Sequence, residues 1–393
     1  VQVRVSLKAC WFDSSLGYNK TYFSYFYHMK ILIIEPYYTG SHKQWADGYQ
    51  KHSQHEIRIL SMKGQFWKWR MHGGAVTLAN QFNEMAWTPD LIIATDMLDL
   101  TTFLSLTRKR SYKVPTAIYF HENQLTYPWS PEDRDIQNKR DTHYGFINYS
   151  SALVADKIFF NSKFHMNSFL DELHPFLKQF PDHQELDSIN MIRSRSEVLY
   201  LGMELERFDQ YKVDNTGRPL ILWNHRWEYD KNPELFFSII KKVKDSGLDF
   251  GLVVLGENFS QSPSIFDKAK EIFKDNICHW GYSLSFSEYA EWLWKADILP
   301  VTSNQEFFGA SVMEAIYCNT WPILPRRLTY PELMHIDNHS DHIYENENDL
   351  YEKIVYLIND QHKLKLTKIR SIAKNFDWSA MAPVYDKRFS ECV

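Results

Sequence analysis

Short apolar runs of strand length recur along this chain, and longer stretches with helical periodicity separate them. Alternation of this kind is typical of βαβ units, in which helices connect the strands of a parallel sheet. The pattern therefore predicts an α/β fold. The predicted strands comprise residues 31–35, 91–95, 116–120, 157–160, 221–223, 251–255, 277–280 and 297–301.

Length and local composition divide the chain into two domains. At 393 residues it can bury two cores of ordinary size. The polar stretch at residues 211–217 is typical of a linker, so we predict domains at residues 29–212 and 213–393. The charged and irregular segment at 175–196 is predicted to be an exposed insertion near the boundary.

Residues 1–28 form an N-terminal extension to this arrangement. Met29 is followed at once by the first predicted strand, and the preceding segment lacks the apolar core and cleavage site of a secretory signal. We interpret residues 1–28 as an extension without a functional role.

Charge and cysteine content limit the class of protein. The net charge is −5, so no global basic field indicates nucleic acid. The four cysteines show no metal-binding or redox spacing, which favours a reducing, cytoplasmic location. No stretch reaches the apolar length of a membrane span, and we expect no membrane partner. The oligomeric state stays open.

Residues 304–315 contain two glutamates, Glu306 and Glu314, on either side of a glycine turn. Gly309 suits a tight turn from strand to helix, because glycine tolerates positive φ. The first turn of the following helix offers free N–H groups to a phosphate. The two glutamates could accept hydrogen bonds from hydroxyls on both sides of a diphosphate, the layout of a sugar nucleotide. An ordinary amphipathic helix with two solvated glutamates is the alternative.

A second motif follows the predicted strand at 221–223. Arg226 and Lys231 place a planar donor and a point charge in one loop, a pairing suited to a diphosphate. Open α/β sheets bind ligands at the ends of their strands. A solvated loop with ordinary charges is the simpler interpretation of this pair alone.

Together the two motifs resemble the donor-binding signature of the family 4 retaining glycosyltransferases, which have the two-domain GT-B fold. The resemblance extends over most of the chain after Met29 and includes the glycine loop at 38–42 and the segment at 198–208. It implies two Rossmann-like domains facing across a cleft, with the last helix, near 378–389, crossing back onto the first domain.

Three segments, at residues 120–128, 223–228 and 306–309, resemble more narrowly the tRNA-queuosine alpha-mannosyltransferase branch of that family. This resemblance implies transfer of mannose from GDP-mannose, with retention, to queuosine in the anticodon loop of tRNA. The acceptor is implied by the resemblance alone.

The resemblance also implies roles for individual residues. In the second domain, Arg226 and Lys231 would hold the diphosphate with backbone N–H groups near Phe308 and Gly309, while Glu306 would bind mannose and Glu314 the ribose. The resemblance implies no metal or other cofactor. The sequence contains one Asp-x-Asp triplet, Asp133-Arg134-Asp135, which lies outside the three segments that carry the resemblance.

The first domain contributes further candidates. His121 would face the donor sugar, and Gly40 and Ser41 would let the first loop approach sugar and phosphate. Weaker candidates for sugar or acceptor contacts are His42, Glu122, Asn123, Lys68 and Arg70. Lys68 and Arg70 alternate with aromatic residues, which suits backbone contact and base stacking in a single-stranded loop.

Three other functions remain open on this sequence. Another retaining GT-B transferase could act on a glycan, a lipid or a small molecule. A sugar-nucleotide epimerase could share the scaffold, although it would not be expected to carry both motifs. A tRNA-binding protein without activity is the third, and the intact Arg226, Lys231, Glu306 and Glu314 argue against it.

Overall fold

A computed structural model describes residues 28–130, 143–256, 263–360, 364 and 369–393. The proposed extension at 1–28 therefore lies, except for its last residue, outside the described residues. The described chain contains all of the predicted strands, with small shifts at their ends. They belong to two six-stranded sheets, and every strand pairing described is parallel. The predicted α/β fold is confirmed.

The first sheet has the order β2-β1-β3-β4-β5-β6. Its central strands β3 and β4 are buried along their whole length, because helices cover both faces. The elements of this half are β1 (Lys30–Tyr38), α1 (Gly40–His52), β2 (Glu56–Lys63), α2 (Trp67–Glu84), β3 (Leu91–Thr95), α3 (Leu100–Ser111), β4 (Thr116–Phe120), α4 (His143–Val154), β5 (Lys157–Phe160), α5 (Lys163–Leu177), α6 (Ser188–Arg195) and β6 (Ser196–Val198).

The second sheet has the order β12-β11-β10-β7-β8-β9. A 3₁₀ helix, Glu206–Tyr211, precedes it, and the predicted boundary at residue 212 falls between the two sheets. The elements are β7 (Leu220–Trp223), α7 (Pro233–Asp245), β8 (Gly251–Leu255), α8 (Ile265–Ile272), β9 (Ile277–Gly281), α9 (Phe286–Lys295), β10 (Ile298–Pro300), α10 (Ala310–Tyr317), β11 (Trp321–Pro325), α11 (Tyr330–Leu333), β12 (Ile343–Tyr344), α12 (Glu347–Asn359), α13 (Arg370–Lys374) and α14 (Trp378–Ser390).

The last helix, α14, packs on the first half of the molecule. The Tyr385 hydroxyl accepts from the Trp45 indole N–H at 3.1 Å and donates to the Tyr119 hydroxyl at 3.0 Å. Asp386 accepts from the Tyr49 hydroxyl at 2.9 Å. Buried aromatic rings surround these bonds, so α14 fixes the end of the chain to α1.

The prediction of an exposed insertion at 175–196 is wrong for its second half. Residues 178–187 are mostly exposed, but α6 follows them and leads into the edge strand β6. Ile189 and Ile192, three residues apart on one helix face, are buried in the core of the first half. Polar and charged residues flank this short apolar face, so the sequence pattern did not indicate a buried helix here.

Each sheet has a point where the strand order reverses, and there the loops after neighbouring strands leave in opposite directions. In the first sheet this point lies between β1 and β3, and in the second between β7 and β10. The carboxyl ends of strands at such a point form the crevice in which open α/β sheets bind ligands. The candidate residues follow β1, β4, β7 and β10, except Lys68 and Arg70, which follow β2.

Candidate active site

The loops after β7 and β10 hold a buried ion cluster. The Lys231 ammonium lies 3.2 Å from Glu306 Oε2 and 3.1 Å from Asp230 Oδ2, and it donates to the Gln305 carbonyl at 3.0 Å. Burial lowers the pKa of Lys231, but the two carboxylates outweigh burial and raise it. Lys231 is therefore a fixed cation at the reversal point of the second sheet.

Glu306 also organises the turn that follows it. Its Oε1 accepts from the backbone N–H groups of Phe307 at 3.2 Å and Phe308 at 3.4 Å. The turn ends at Gly309, whose φ of +89° lies in the left-handed region, and α10 begins there. The predicted glycine turn is present. The Phe308 N–H, expected to face a diphosphate, donates to Glu306 here.

Glu314 lies in α10, eight residues after Glu306. It accepts from the Tyr289 hydroxyl at 2.6 Å, and the Arg207 guanidinium is 3.7 Å away. Burial raises the pKa of this carboxyl group. Glu314 lines a cavity of about 260 Å³ between the two halves, together with Arg207 and with Ser41 of α1. The structure thus brings Ser41 and Glu314 to one cavity.

Arg226 lies at the surface of the cleft, and its side chain is 49% exposed. Its guanidinium is 3.1 Å from Glu228 and donates to the Tyr127 hydroxyl at 3.4 Å. Tyr127 belongs to the loop after β4 in the first half, so Arg226 connects the two halves of the molecule across the cleft. An exposed guanidinium with one carboxylate beside it keeps N–H groups available to a phosphate.

In the first half, Glu35, His42 and His121 form a buried group. His42 Nδ1 is 2.9 Å from Glu35 Oε2, and the rings of His42 and His121 are 4.2 Å apart between centroids. Burial disfavours the imidazolium, but Glu35 outweighs it and raises the pKa of His42 to about 9. Burial lowers the pKa of His121 well below its usual value. A charged and a neutral imidazole therefore lie side by side.

The sequence reasoning missed Asp96, which directly follows β3. Its Oδ1 accepts from the backbone N–H of His121 at 2.7 Å and so fixes the start of the loop after β4. Burial raises the pKa of Asp96 to about 8. A polar residue directly after a buried strand was the available signal.

The loop after β4 places Glu122 and Asn123 differently. Burial raises the pKa of Glu122, and both His42 and Arg226 act on this carboxyl group electrostatically. Glu122 therefore lies near a cation from each half, His42 from the first and Arg226 from the second. Asn123 Oδ1 instead accepts from the backbone N–H groups of Leu125 at 3.1 Å and Thr126 at 2.9 Å, a turn that shapes the loop.

Gly40 begins α1 with a φ of +50°, and a Cβ built there would meet no atom within 4 Å. The first turn of α1 is therefore open on this side, and Ser41 beside it is exposed. There is space at the end of β1, and the close approach of this loop to a ligand stays a prediction.

The loops after β7 and β10 carry buried polar atoms without a hydrogen-bond partner among the described residues. Buried polar atoms in native structures almost always have partners, so a group of exceptions in a cleft favours a polar ligand. These atoms are Asn224 Oδ1, His225 Nε2, Asp230 Oδ1, Ser303 Oγ and Gln305 Nε2. None of these residues was a candidate from the sequence.

Lys68 and Arg70 lie apart from these loops, at the start of α2. The Lys68 ammonium is 5.2 Å from the centroid of the Trp129 ring and 5.5 Å from that of Trp67. Arg70 Nε donates to the Lys63 carbonyl at 3.0 Å. Lys68 therefore lies among aromatic rings, and Arg70 is held against the end of β2 beside it.

Comparisons with known proteins agree with this geometry. Residues 30–203 match the family described as tRNA-queuosine alpha-mannosyltransferase N-terminal, and residues 206–376 match glycosyl transferases group 1. A tRNA-queuosine alpha-mannosyltransferase of Drosophila melanogaster is 34% identical over 334 residues, which cover 82% of this chain and 85% of that protein.

Solved structures of glycosyltransferases share the fold. A glycosyltransferase from Rickettsia africae ESF-5 has a TM-score of 0.64 at 15% identity and covers 93% of this chain and 98% of its own. Sucrose-phosphate synthase from Thermosynechococcus elongatus has a TM-score of 0.66 at 13% identity, with coverage of 93% and 99%. The architecture is that of the GT-B fold. Within the described part of the chain, no helix has the length and apolar character that crossing a bilayer requires.

Proposed function

Because the chain belongs to the tRNA-queuosine alpha-mannosyltransferase family, we propose that it transfers mannose from GDP-mannose, with retention, to queuosine in the anticodon loop of tRNA. The protein is a glycosyltransferase of the hexosyltransferase class. One observation of the site carries the proposal. Lys231 and Glu306 are paired at the reversal point of the second sheet, and Arg226 of the same loop as Lys231 contacts Tyr127, which follows His121 in the loop after β4. His42 and His121 lie together at the reversal point of the first sheet.

Stabilising the leaving group is the main demand of this reaction. The hydroxyl oxygen of queuosine forms a bond to the anomeric carbon, the bond from that carbon to the diphosphate breaks, and the hydroxyl proton passes to the leaving phosphate oxygen. Negative charge grows on GDP during this step, and cations fixed before the reaction stabilise it. Lys231 and Arg226 supply these cations.

The remaining candidates bind and orient the donor. Glu306 accepts from mannose hydroxyls while Lys231 holds its second oxygen, and Glu314 accepts from the ribose. His121 is neutral at physiological pH, so it contacts the sugar as a hydrogen-bonding group and not as a charge. Gly40 and Ser41 leave room for the donor at the end of β1.

We propose that the transfer needs no metal ion. Glu35, His42 and His121 each bring one potential ligand atom within 4.8 Å of the others. Glu35 and His42 already satisfy one another through their hydrogen bond, and two cations serve the diphosphate without an ion. Transfer in excess EDTA at the untreated rate supports this, and loss of activity that Mg²⁺ or Zn²⁺ restores would contradict it.

Cysteine usage supports a cytoplasmic reaction, since the described cysteines, Cys278, Cys318 and Cys392, are unpaired. A cytoplasmic enzyme would meet both tRNA and GDP-mannose there, and the proposal requires no membrane partner.

The test is transfer of radiolabelled mannose to tRNA from cells grown with and without queuine. UDP-glucose and UDP-galactose serve as donor controls, and Arg226→Ala serves as the enzyme control. We expect label only in the tRNA that contains queuosine, only from GDP-mannose, and little with Arg226→Ala. Label in both tRNA pools would reject queuosine as the acceptor. Release of GDP with transfer of mannose to an acceptor other than tRNA would reject the tRNA assignment and leave the donor site in place.

A further inference from the structure

Two large aromatic side chains are exposed beside the cleft, between β2 and the first turn of α2. Phe66 is 75% exposed and Trp69 is 63% exposed. Most large apolar side chains of the described chain are buried, so two open rings three residues apart need an explanation other than core packing.

The local backbone holds both rings in place. Phe66 precedes α2 with a φ of +55°, a conformation that bulky residues rarely adopt, and its carbonyl accepts from the Trp69 N–H at 2.8 Å. The Trp69 ring lies against Gly73, where a Cβ would come within 2.5 Å of it. One face of the indole is therefore supported by the helix.

Three cations lie close to these two residues in the chain. Lys63 is exposed at the end of β2, and its carbonyl accepts from Arg70 Nε at 3.0 Å. The Lys68 ammonium lies over the rings of Trp67 and Trp129. We call Phe66, Trp69, Lys63, Lys68 and Arg70 the aromatic patch.

The aromatic patch lies at the carboxyl ends of the strands of the first sheet, where the catalytic candidates of the first half also lie. Lys63, the last residue of β2, pairs with Tyr38, the last residue of β1. Trp129 directly follows Pro128, whose carbonyl accepts from Tyr229 of the second half at 2.6 Å. A molecule that reaches from the patch into the cleft thus passes over the loop that carries His121.

We propose that Phe66 and Trp69 stack on unpaired bases of the acceptor RNA loop, while Lys63, Lys68 and Arg70 contact its phosphates. The inference rests on the proposed function and names the surface that recognises the acceptor. A base offers a π-face to each ring, and single-stranded loops are recognised by stacking next to cations. Cations beside exposed rings favour a partner that carries both phosphates and unpaired bases.

The experiment compares Phe66→Ala, Trp69→Ala and Trp69→Phe with Tyr112→Ala. Tyr112 is 72% exposed and has the Lys113 ammonium 5.3 Å from its ring centroid. It precedes β4, so it lies at the amino ends of the strands, on the side of the sheet away from the cleft. We expect each alanine in the patch to raise the KM for queuosine-containing tRNA about tenfold. The KM for GDP-mannose and the melting temperature should not change, and Trp69→Phe should keep most of the affinity.

Binding of a fluorescent anticodon stem-loop, beside a blunt RNA duplex, separates this inference from the proposed function. If the wild type transfers no mannose to tRNA, the function fails, yet weaker stem-loop binding by the patch variants would still support stacking. Unchanged KM and stem-loop affinity in both alanine variants would overturn the inference. It would also fall if stem-loop and duplex affinity dropped equally, or if light scattering showed that the patch joins two copies of the chain.

Discussion

The two cations proposed to hold the diphosphate differ in burial, and mutations should separate them. Arg226 is half exposed, so Arg226→Ala should lower kcat by about 10²-fold and leave the melting temperature unchanged. Lys231 is buried between Glu306 and Asp230, and Lys231→Met should also destabilise the protein, by about 3 kcal/mol or more, because it leaves two carboxylates unpaired. Steady-state kinetics and thermal melting of the Arg226→Ala and Lys231→Met variants test this difference.

From the sequence alone, Arg226→Ala and Lys231→Ala are both predicted to leave the fold intact, because both residues are loop charges. For Lys231, burial between two carboxylates argues against that expectation. A Lys231→Met protein that melts like the wild type would show that the ion cluster is solvated. An Arg226→Ala protein with normal turnover would remove Arg226 from the diphosphate site.

The pair Glu35–His42 predicts a pH-dependent contribution to stability. The pKa of His42 is raised to about 9 in the folded protein, so its stabilising effect is complete below the unfolded value, about 6.5. It is lost as the pH rises through about 9. Glu35→Gln should therefore lower the free energy of unfolding more at about pH 6 than at about pH 10. Asp96 and Glu122, the other buried acids nearby, also act on His42 and remain in the variant.

Urea unfolding at both pH values checks this prediction. Glu204→Gln is the matched control, because Glu204 contacts His52 at 2.6 Å in a more exposed pair and should contribute less. An equal loss for Glu35→Gln at the two pH values would mean that His42 is not held as a cation.

At the scale of elements, the turn between β10 and α10 depends on Gly309. Gly309→Ala should cost about 1–2 kcal/mol, because an L-residue is forced to positive φ. Sterics add little, since the nearest atom to a Cβ is 3.4 Å away. Relaxation of the turn should move Glu306 and Phe308, and kcat should fall with stability.

Gly247→Ala supplies the control for backbone strain. Gly247 has a φ of +82° with no atom within 4 Å of a Cβ, and it follows α7, away from the turn. Both variants should lose similar stability in urea, but only Gly309→Ala should lose turnover. Equal activity in the two variants would show that the turn has no catalytic role.

The elements also show how far sequence patterns reach. Strands β3, β4 and β8 were predictable because a buried parallel strand is a continuous apolar run. The equally buried β11 was missed, and its two prolines are unusual in a strand inside a sheet. The edge strand β2 is mostly half-buried and contains Arg58 and Ser61, so it gives no such run. Edge position is a property of the sheet order, which local sequence does not encode.

The candidate site shows the same division. Positions after strand ends were predictable for Arg226, Lys231 and Glu306 because binding sites form at the ends of parallel strands. The pairing of Glu35 with His42 could not be predicted in this way. A glutamate inside a strand is buried only when a partner, here His42 from the next helix, pairs with it. Tertiary contacts set that pairing.

On the scale of the whole molecule, contacts between the two halves hold the cleft in the arrangement described. Glu332 of α11 accepts from the backbone N–H groups of Lys163 at 2.8 Å and Phe164 at 2.9 Å, at the start of α5. It also accepts from the Tyr200 hydroxyl at 2.8 Å. A carboxylate at a helix start is favourable, so these bonds stabilise the closed arrangement.

Two other contacts join the halves beside the catalytic turn. The Phe307 carbonyl accepts from the Ser162 hydroxyl at 2.6 Å, and the Phe307 and His165 rings stack with centroids 4.0 Å apart. Because Phe307 follows Glu306 directly, closure and the position of Glu306 are coupled. Closure between two domains commonly completes an active site in this way.

Glu332→Ala should therefore shift the protein towards an open cleft. We expect a larger radius of gyration by X-ray scattering without ligand, and a KM for GDP-mannose raised several-fold, because binding must then supply the free energy of closure. Glu345→Ala is the control, since Glu345 pairs with Arg326 within the second half. Saturating GDP-mannose should return the Glu332→Ala scattering curve to that of the wild type. If the two variants scatter alike without ligand, the stack of Phe307 on His165 holds the cleft closed, and Glu332 only caps α5.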